Sequence, residues 1–258
     1  MPDNVVSFPL RGATLQQLAT ALGRCHAEYQ AWHQQAVVLH QFVDHAREAG
    51  VRSVLKTRFH ELMHFARENS LLTAPIEAVV PMAAMEAKFV DDQLTSARHG
   101  TTLAAVVIIH TSTEILYWRL LRFGLIANRD KMLKRFEERK ITVKELRDLG
   151  SDGANDAVLE NWWDKKERES LLDKWDNLIG EFGMPDNIRT DEFALTREML
   201  AEFDEMRHNA VHHDASSLRK FALREFAAQL SRAHSVIVMH VAHKMALQLS
   251  FQSFFLGQ

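Results

Sequence analysis

Residues 103–127, LAAVVIIHTSTEILYWRLLRFGLIA, are the most apolar stretch of the chain. Glu114, Arg119 and Arg122 stand near its middle, and each of these charged side chains would be costly to place in lipid. Because charges lie at its centre, the stretch is typical of a helix inside a protein core. We therefore predict a buried core helix here and not a membrane span.

The flanking sequence carries the same helical pattern. Apolar residues recur at spacings of three and four almost everywhere, and only 5 prolines and 10 glycines interrupt the 258 residues. No strand pattern competes with this periodicity. The predicted fold class is all-α, with long helices joined by short connections.

Two helices are predicted before residue 80. The first runs from Leu15 to Gly50, and its apolar residues form a heptad seam: Leu18, Leu22, Cys25, Tyr29, Trp32, Ala36, Leu39, Val43 and Ala46. The second covers about residues 52–68, and Pro75 and Pro81 break the chain after it. We predict that residues 1–80 form an N-terminal helical hairpin and residues 81–258 the main domain.

Three histidines flank the heptad seam at intervals of seven residues, namely His26, His33 and His40. One heptad advances a helix by about 10 Å, so the three imidazoles are too far apart to share one metal ion. We predict that they lie half-buried at the edge of the seam.

The main domain is predicted to contain four helices and one insertion. The first two helices cover residues 82–98 and 101–127, and the shorter, polar region of about 129–188 resembles an insertion between core helices. Thr190, followed by two acidic residues, is a favourable helix start, so we predict a helix from there to His212. The last helix is predicted over about 217–251.

Composition limits the kind of protein this is. The formal charge of −3 and the pI near 6.5 argue against a globally basic nucleic-acid binder, so any RNA site must be a small basic pocket. Cys25 is the only cysteine, so the chain can form no internal disulfide. The first residues, MPDNVVSFPLRG, lack the pattern of a signal peptide. We predict a cytoplasmic protein with no membrane segment.

The segment EFDEMRHNAVHHD, residues 202–214, resembles the signature of the HEPN superfamily. In that family an Arg is followed, four to six residues later, by a His near the end of a helix, and a polar residue often follows the Arg. Arg207, His208, Val211 and His212 occupy the corresponding places here. His213 stands where the family often has glycine.

A second likeness lies in the core helix quoted first. Residues 108–126 resemble the other core helix of the family, which often carries an acidic residue facing the Arg and the His. Glu114 shares a helix face with Val107, His110, Tyr117 and Leu121. Two hypotheses remain open: Glu114 pairs only with His110 one turn earlier, or it orients Arg207 or the nucleophile.

The resemblance covers about residues 82–250. It implies a HEPN-like helical bundle with an N-terminal helical extension and a polar helical insertion. It also implies a metal-independent endoribonuclease, acting as a toxin or as a phage-defence effector restrained by an antitoxin or another regulatory partner. No cofactor is expected.

The residue types suit RNA cleavage by attack of the ribose 2′-hydroxyl. That reaction needs a base, an acid and positive charge beside the phosphate. A histidine titrates near neutral pH, and an arginine keeps its charge and offers a planar fork to phosphate oxygens. We predict that His212 and Arg207 are the catalytic residues. DNA, which lacks the 2′-hydroxyl, would not react.

Helix geometry adds a condition to this hypothesis. A spacing of five residues places Arg207 and His212 about 140° apart around a straight helix, so they converge only where the helix ends or where a second chain contributes. The resemblance implies a homodimer whose composite active site lies at the interface. In this site His208 would hydrogen-bond the ring of His212 or contact the substrate. Asn209 would contact a phosphate or a base.

Two other interpretations of the sequence stay open. The segment of residues 202–214 also fits an exposed polar helix terminus that has no catalytic role. The protein would then be a non-catalytic dimeric helical interaction module. His60-Glu61-Leu-Met-His64 matches the HExxH signature of zinc peptidases, with Glu77 and Glu86 as candidate third ligands.

Basic residues gather after the core helix. Lys131, Lys134 and Arg135 begin a basic stripe that continues through Arg139, Lys140, Lys144 and Arg147 and is interrupted by acidic residues. Mixed charge is typical of a solvated helix. If the protein binds RNA, we expect the phosphate contacts on this stripe.

Overall fold

The structure, a computed structural model, describes residues 12–48, 50–69, 81–135, 143–190, 193–212, 218, 222–247 and 249. Within these residues the chain forms eight α-helices and one two-stranded sheet, so the mostly helical prediction is confirmed. In chain order the elements are α1 (Leu15–Glu48), α2 (Val51–Glu68), α3 (Met82–Ala127), α4 (Arg129–Arg135), α5 (Val143–Glu167), α6 (Leu171–Phe182), β1 (Asn187–Thr190), β2 (Phe193–Thr196), α7 (Arg197–His212) and α8 (Leu223–Lys244).

Contacts between residues group the chain into two compact units. Unit 1 comprises residues 1–34, 108–206 and 224–258, and unit 2 comprises residues 35–107 and 207–223. Three helices, α1, α3 and α7, contribute residues to both units. The predicted division of the chain at residue 80 stays a prediction.

The core of unit 1 contains the apolar stretch with which the sequence analysis began. Ile109, Leu116, Leu120 and Phe123 of α3 are completely buried. They belong to a larger buried set that includes Leu22, Cys25, Trp175, Leu178, Leu200, Phe203, Leu230, Ile237 and Val241. Trp175 and Leu178 lie on α6, so the region predicted as a polar insertion contributes large side chains to this core.

Unit 2 contains the contact of α2 with the first half of α3. The rings of Phe59 and Phe89 lie 5.5 Å apart, and Phe59 is buried. The Glu86 carboxylate of α3 lies 2.9 Å from the Lys56 Nζ and 2.8 Å from the His60 Nε2, and both of these partners belong to α2. The packing of the two phenylalanine rings, the Glu86 carboxylate and an ion pair between Arg52 and Asp91 at 3.1 Å therefore all contribute to the contact of these two helices.

The predicted break between residues 98 and 101 is wrong, because α3 is one helix of 46 residues. Gly100 remains helical within it. A glycine inside a helix costs about 1 kcal/mol relative to alanine, which the neighbouring packing of a long helix can offset. The hydroxyls of Thr101 and Thr102 donate to the carbonyl of Arg98 at 3.0 and 2.8 Å, so both threonines are accommodated in the helix.

The prediction that the chain has no strands is also wrong at one place. β1 and β2 form an antiparallel hairpin in which Ile188 faces Leu195. Ile188, Phe193 and Leu195 are buried, so the alternation expected of a half-buried strand is present over four residues. The predicted helix start at Thr190 is therefore wrong. α7 begins at Arg197, where the Thr196 hydroxyl accepts the N–H of Met199 at 3.3 Å.

The last helix is shorter than predicted, ending at Lys244 instead of near residue 251. Ala246 has a positive φ of 52°, and the N–H of Leu247 donates to the carbonyl of Ala242 at 2.8 Å. A left-handed residue with this 6→1 bond closes a helix C-terminus. Residues 250–258 lie outside the described residues.

Candidate active site

The motif occupies the last two turns of α7. The helix ends at His212, as predicted, and all residues from Arg207 to His212 are helical. Arg207 and Asn209 are half-buried, and His208 and His212 are exposed. His213 lies outside the described residues. An exposed histidine in the last turn also interacts favourably with the negative end of the helix dipole.

Two of the motif histidines are neighbours. The ring centres of His208 and His212 lie 4.7 Å apart, with an angle of 48° between the ring planes. This is the expected result of a spacing of four residues, which places side chains on one helix face. Arg207 is turned about 140° from His212 around the axis of a regular helix. The predicted convergence of Arg207 and His212 therefore requires a second copy of the chain.

A polar cluster joins α3 to α7 within unit 1. The His110 Nε2 lies 2.7 Å from the Asp204 Oδ1, and the His110 Nδ1 lies 3.6 Å from the Glu114 Oε2. His110 is only 2% exposed, whereas both carboxylates are partly exposed. The predicted pairing of Glu114 with His110 is confirmed. The hypothesis that Glu114 also orients Arg207 stays a prediction.

Lys174 of α6 completes this cluster. Its Nζ donates to the Glu169 carbonyl at 2.7 Å and lies 3.8 Å from the Glu114 Oε1. Burial lowers the pKa of Lys174, and the negative charge of Glu114 partly opposes that shift. The sequence analysis did not identify Lys174 or Asp204 as partners in this cluster. His110, one turn before Glu114 in an apolar helix, was the signal that a further polar partner existed.

The predicted RNA-contacting residues lie on α4. Lys131 and Lys134 are exposed, and Arg135 is the last residue of that helix. Exposure is expected both of a solvated surface and of a phosphate-binding one, so this assignment stays a prediction.

The HExxH segment lies on α2 with its histidines engaged by carboxylates. His60 contacts Glu86, and the His64 Nδ1 lies 3.2 Å from the Glu68 Oε2. Glu61, the expected general base, pairs with Arg58 at 3.0 Å. Over the described part of the chain, no group of three or more His, Cys, Asp or Glu side chains is placed to hold a metal ion. Glu77 lies outside that part.

A second polar network is buried in unit 1, between α1, α3 and α8. His234 lies between two tyrosine hydroxyls: the Tyr117 Oη is 2.7 Å from its Nε2, and the Tyr29 Oη contacts its Nδ1. The Tyr29 Oη also lies 3.1 Å from the His33 Nε2. His26 contacts Ser235 at 3.0 Å. The hydroxyls of Tyr117 and Tyr29 and the rings of His234 and His33 therefore form one buried series of hydrogen bonds.

The histidines of this network are neutral at pH 7. Burial lowers the pKa of His26 to about 4 and that of His33 to about 3. Burial, and after it the neighbouring His33 and His26, hold the pKa of His234 well below its ordinary value. The prediction that His26 and His33 are half-buried is wrong, since they are 2% and 3% exposed. The His26 ring contacts Ser235 of α8 and the His33 ring contacts Tyr29 of α1. The burial of both rings depends on packing against other helices, which the periodicity of one helix does not reveal.

Comparison with protein-family models, with curated proteins and with solved structures found no match. No helix among the described residues is both long and apolar enough to cross a membrane.

Proposed function

We propose that this protein is a metal-independent endoribonuclease of the HEPN type. Arg207 and His212 carry the reaction, in which the ribose 2′-hydroxyl attacks the adjacent phosphate. The proposal rests on the motif resemblance and on one structural observation: α7 stops at His212, so the imidazole stands exposed at a helix end beside His208.

The contact between α3 and α7 supports the same proposal. The resemblance implies an acidic residue on the other core helix that faces the Arg and the His, and the candidate, Glu114, contacts His110 on that helix. His110 of α3 binds Asp204, which lies three residues before Arg207 on α7. A charge-assisted hydrogen bond to a buried ring is stronger than a neutral one. It would fix the rotation of α7 about its axis, which determines where the motif side chains point.

In the proposed reaction each residue has one role. The neutral imidazole of His212 accepts the proton of the 2′-hydroxyl, or as imidazolium it protonates the leaving 5′-oxygen. Arg207 neutralises the phosphate as negative charge increases on its oxygens. Because one helix holds these side chains on different faces, the proposal includes a homodimer in which two copies of α7 build the composite site.

The decisive experiment is RNA cleavage in excess EDTA. We expect the purified protein to cut labelled RNA with EDTA present and to leave the matching DNA intact. Arg207→Ala and His212→Ala should each lower the rate by about a hundredfold or more. His243→Ala is the matched control, because His243 is also exposed in the last turn of a helix, α8.

Other outcomes would assign a different function. No cleavage under any condition contradicts the proposal and favours a non-catalytic helical interaction module. Hydrolysis of a peptide substrate that EDTA abolishes, and that is lost in His60→Ala, would instead identify a zinc peptidase. The setting as a toxin or phage-defence effector belongs to the proposal. This setting predicts that expression of the protein arrests cell growth. Arg207→Ala should relieve the arrest, and a bound antitoxin should suppress it.

A further inference from the structure

We propose that two copies of this chain join through α2, which packs antiparallel against the α2 of a second copy across a two-fold axis. The interface is argued from the exposure and the order of the side chains along α2. Only its consequence for catalysis rests on the proposed function.

One side of α2 carries exposed apolar side chains, although another side is already packed. Phe59 is buried beside Phe89 of α3, whereas Val54 is 67% exposed and Phe65 is 57% exposed. Leu62 is exposed as well. Val54 and Phe65 are eleven residues apart, so they lie within about 20° of each other around the helix axis. Exposed apolar side chains grouped on one face are typical of a protein–protein contact.

The exposed side chains follow a heptad spacing. Six residues succeed one another along α2 at alternating intervals of three and four: Val51, Val54, Arg58, Glu61, Phe65 and Glu68. We call these residues the α2 seam. All of them except Val51 are exposed. A mean interval of about 3.5 residues keeps one face of a helix in contact with a partner helix along its length.

The α2 seam is complementary to itself when its direction is reversed. About a midpoint between residues 59 and 60, Arg58 faces Glu61 of the other copy, and Val54 faces Phe65 of the other copy. The two-fold axis makes each of these contacts occur twice. A symmetric dimer needs a surface of this kind, which matches its own rotated copy. A parallel pair would place like charges against each other, so charge favours the antiparallel pair.

The two charged residues of the seam already pair within one chain. The Arg58 Nη1 lies 3.0 Å from the Glu61 Oε2, and both side chains are more than half exposed. An exposed pair contributes little to stability because water screens it, so its exchange for contacts across the axis costs little. At the ends of the seam Val51 faces Glu68, whose carboxylate remains in water at the rim of the interface.

The size of α2 limits the strength of this dimer. The helix has 18 residues, which is a length of about 27 Å. One pair of helices of this length is expected to bury less than the about 1,200–2,000 Å² of a standard stable interface. We therefore expect a dimer that dissociates in the micromolar range of protein concentration.

α2 belongs to the same compact unit as the proposed catalytic residues. Unit 2 comprises residues 35–107 and 207–223, so it contains Arg207 and His212 in addition to α2. A dimer through α2 therefore joins two copies of the unit that carries the motif, which the composite site of the proposed function requires. We expect the cleavage rate per chain to rise with protein concentration, with a midpoint near the Kd of the dimer.

Sedimentation over a range of protein concentrations tests the interface. We expect a wild-type equilibrium between monomer and dimer. Val54→Glu and Phe65→Glu should each weaken it about tenfold or more, because each substitution places a charge in the apolar part of the interface twice. Met239→Glu is the matched control and should leave the Kd unchanged, because Met239 of α8 is 58% exposed but lies outside the α2 seam.

Exchange of charges tests the antiparallel register. Arg58→Glu alone places carboxylates against each other across the axis, and Glu61→Arg alone does the same with guanidinium groups, so each variant should dimerise more weakly. Mixed together, the two variants should associate with each other, because every positive side chain then faces a negative one. The double variant Arg58→Glu/Glu61→Arg should regain the wild-type affinity.

Three outcomes would overturn the interface: a wild type that stays monomeric up to about 1 mM, a dimer that the α2 variants leave unchanged, or a mixture of the two charge variants that does not associate. A dimer that depends on α2 in a protein that cuts no RNA supports the interface and contradicts the proposed nuclease. Cleavage whose rate per chain does not fall on dilution below the Kd contradicts the link between the interface and catalysis.

Discussion

At the scale of single residues, buried and exposed histidines have different chemistry in this protein. His234 is completely buried between Tyr29 and Tyr117, and burial lowers its pKa, so the ring is neutral and donates from one nitrogen while it accepts at the other. His212 stands exposed in the last turn of α7. General acid–base work is therefore assigned to the exposed ring, and the buried rings are assigned to packing.

The buried histidines predict a stability that depends on pH. Their pKa values in the folded chain are lowered, to about 4 for His26 and about 3 for His33, from 6.5. The unfolded chain therefore binds more protons between these values, and the free energy of unfolding falls as the pH drops below 6.5. Each group contributes about 1.4 kcal/mol per pH unit in this window.

Urea unfolding at pH 7 and at pH 5 measures this dependence. We expect the protein to be clearly less stable at pH 5, and His33→Gln to reduce the slope by about one proton. Equal stability of the wild type at both pH values would show that the buried rings are not neutral in the folded chain.

At the scale of elements, α7 carries both residues of the core and the proposed catalytic residues. Its first half contributes Leu200 and Phe203 to the core of unit 1, and its last two turns carry the motif. The bond between Asp204 and His110 lies between these two parts along the helix. A helix fixed in this way holds the exposed side chains beyond it in a defined direction.

Asp204→Asn tests that role. The substitution keeps the shape but removes the charge that His110 contacts, so we expect stability to fall by about 1.5–3 kcal/mol. The maximal RNA cleavage rate should fall as well, because the lost contact would otherwise fix the rotation of α7.

Glu205→Gln is the matched control for this variant, since Glu205 is exposed and next in sequence. If Asp204→Asn cleaves RNA as fast as the wild type at a temperature where both are folded, Asp204 has no positioning role.

At the scale of the whole molecule, the proposed composite site requires two chains. We expect sedimentation at twice the 29.6 kDa of one chain. Mixing inactive Arg207→Ala with inactive His212→Ala should restore part of the cleavage, since a heterodimer can combine the intact arginine of one chain with the intact histidine of the other.

Arg207→Ala mixed with the double variant Arg207→Ala/His212→Ala is the control, because no intact arginine is present. A monomer that cleaves RNA would contradict the composite site. Restored activity in the control mixture would show that Arg207 is dispensable.

The helices and the place of the motif followed from the amino-acid sequence alone. A spacing of three and four is a local property, so it predicted the apolar core helix and the end of α7 at His212 without knowledge of the fold. The sequence also predicted that His208 and His212 are neighbours, because side chains four residues apart share a face of any regular helix.

Tertiary structure decided which polar groups meet. His110 and Asp204 are 94 residues apart, and Tyr117 and His234 are 117 apart, and no local pattern specifies such pairs. The burial of His26 and His33 depended on the packing of other helices against α1, as the contact of His26 with Ser235 of α8 illustrates. The β1–β2 hairpin was too short for alternation to distinguish it from a helix start. Hydrogen-bond partners and burial are properties of packed surfaces, and these surfaces exist only after distant segments have come together.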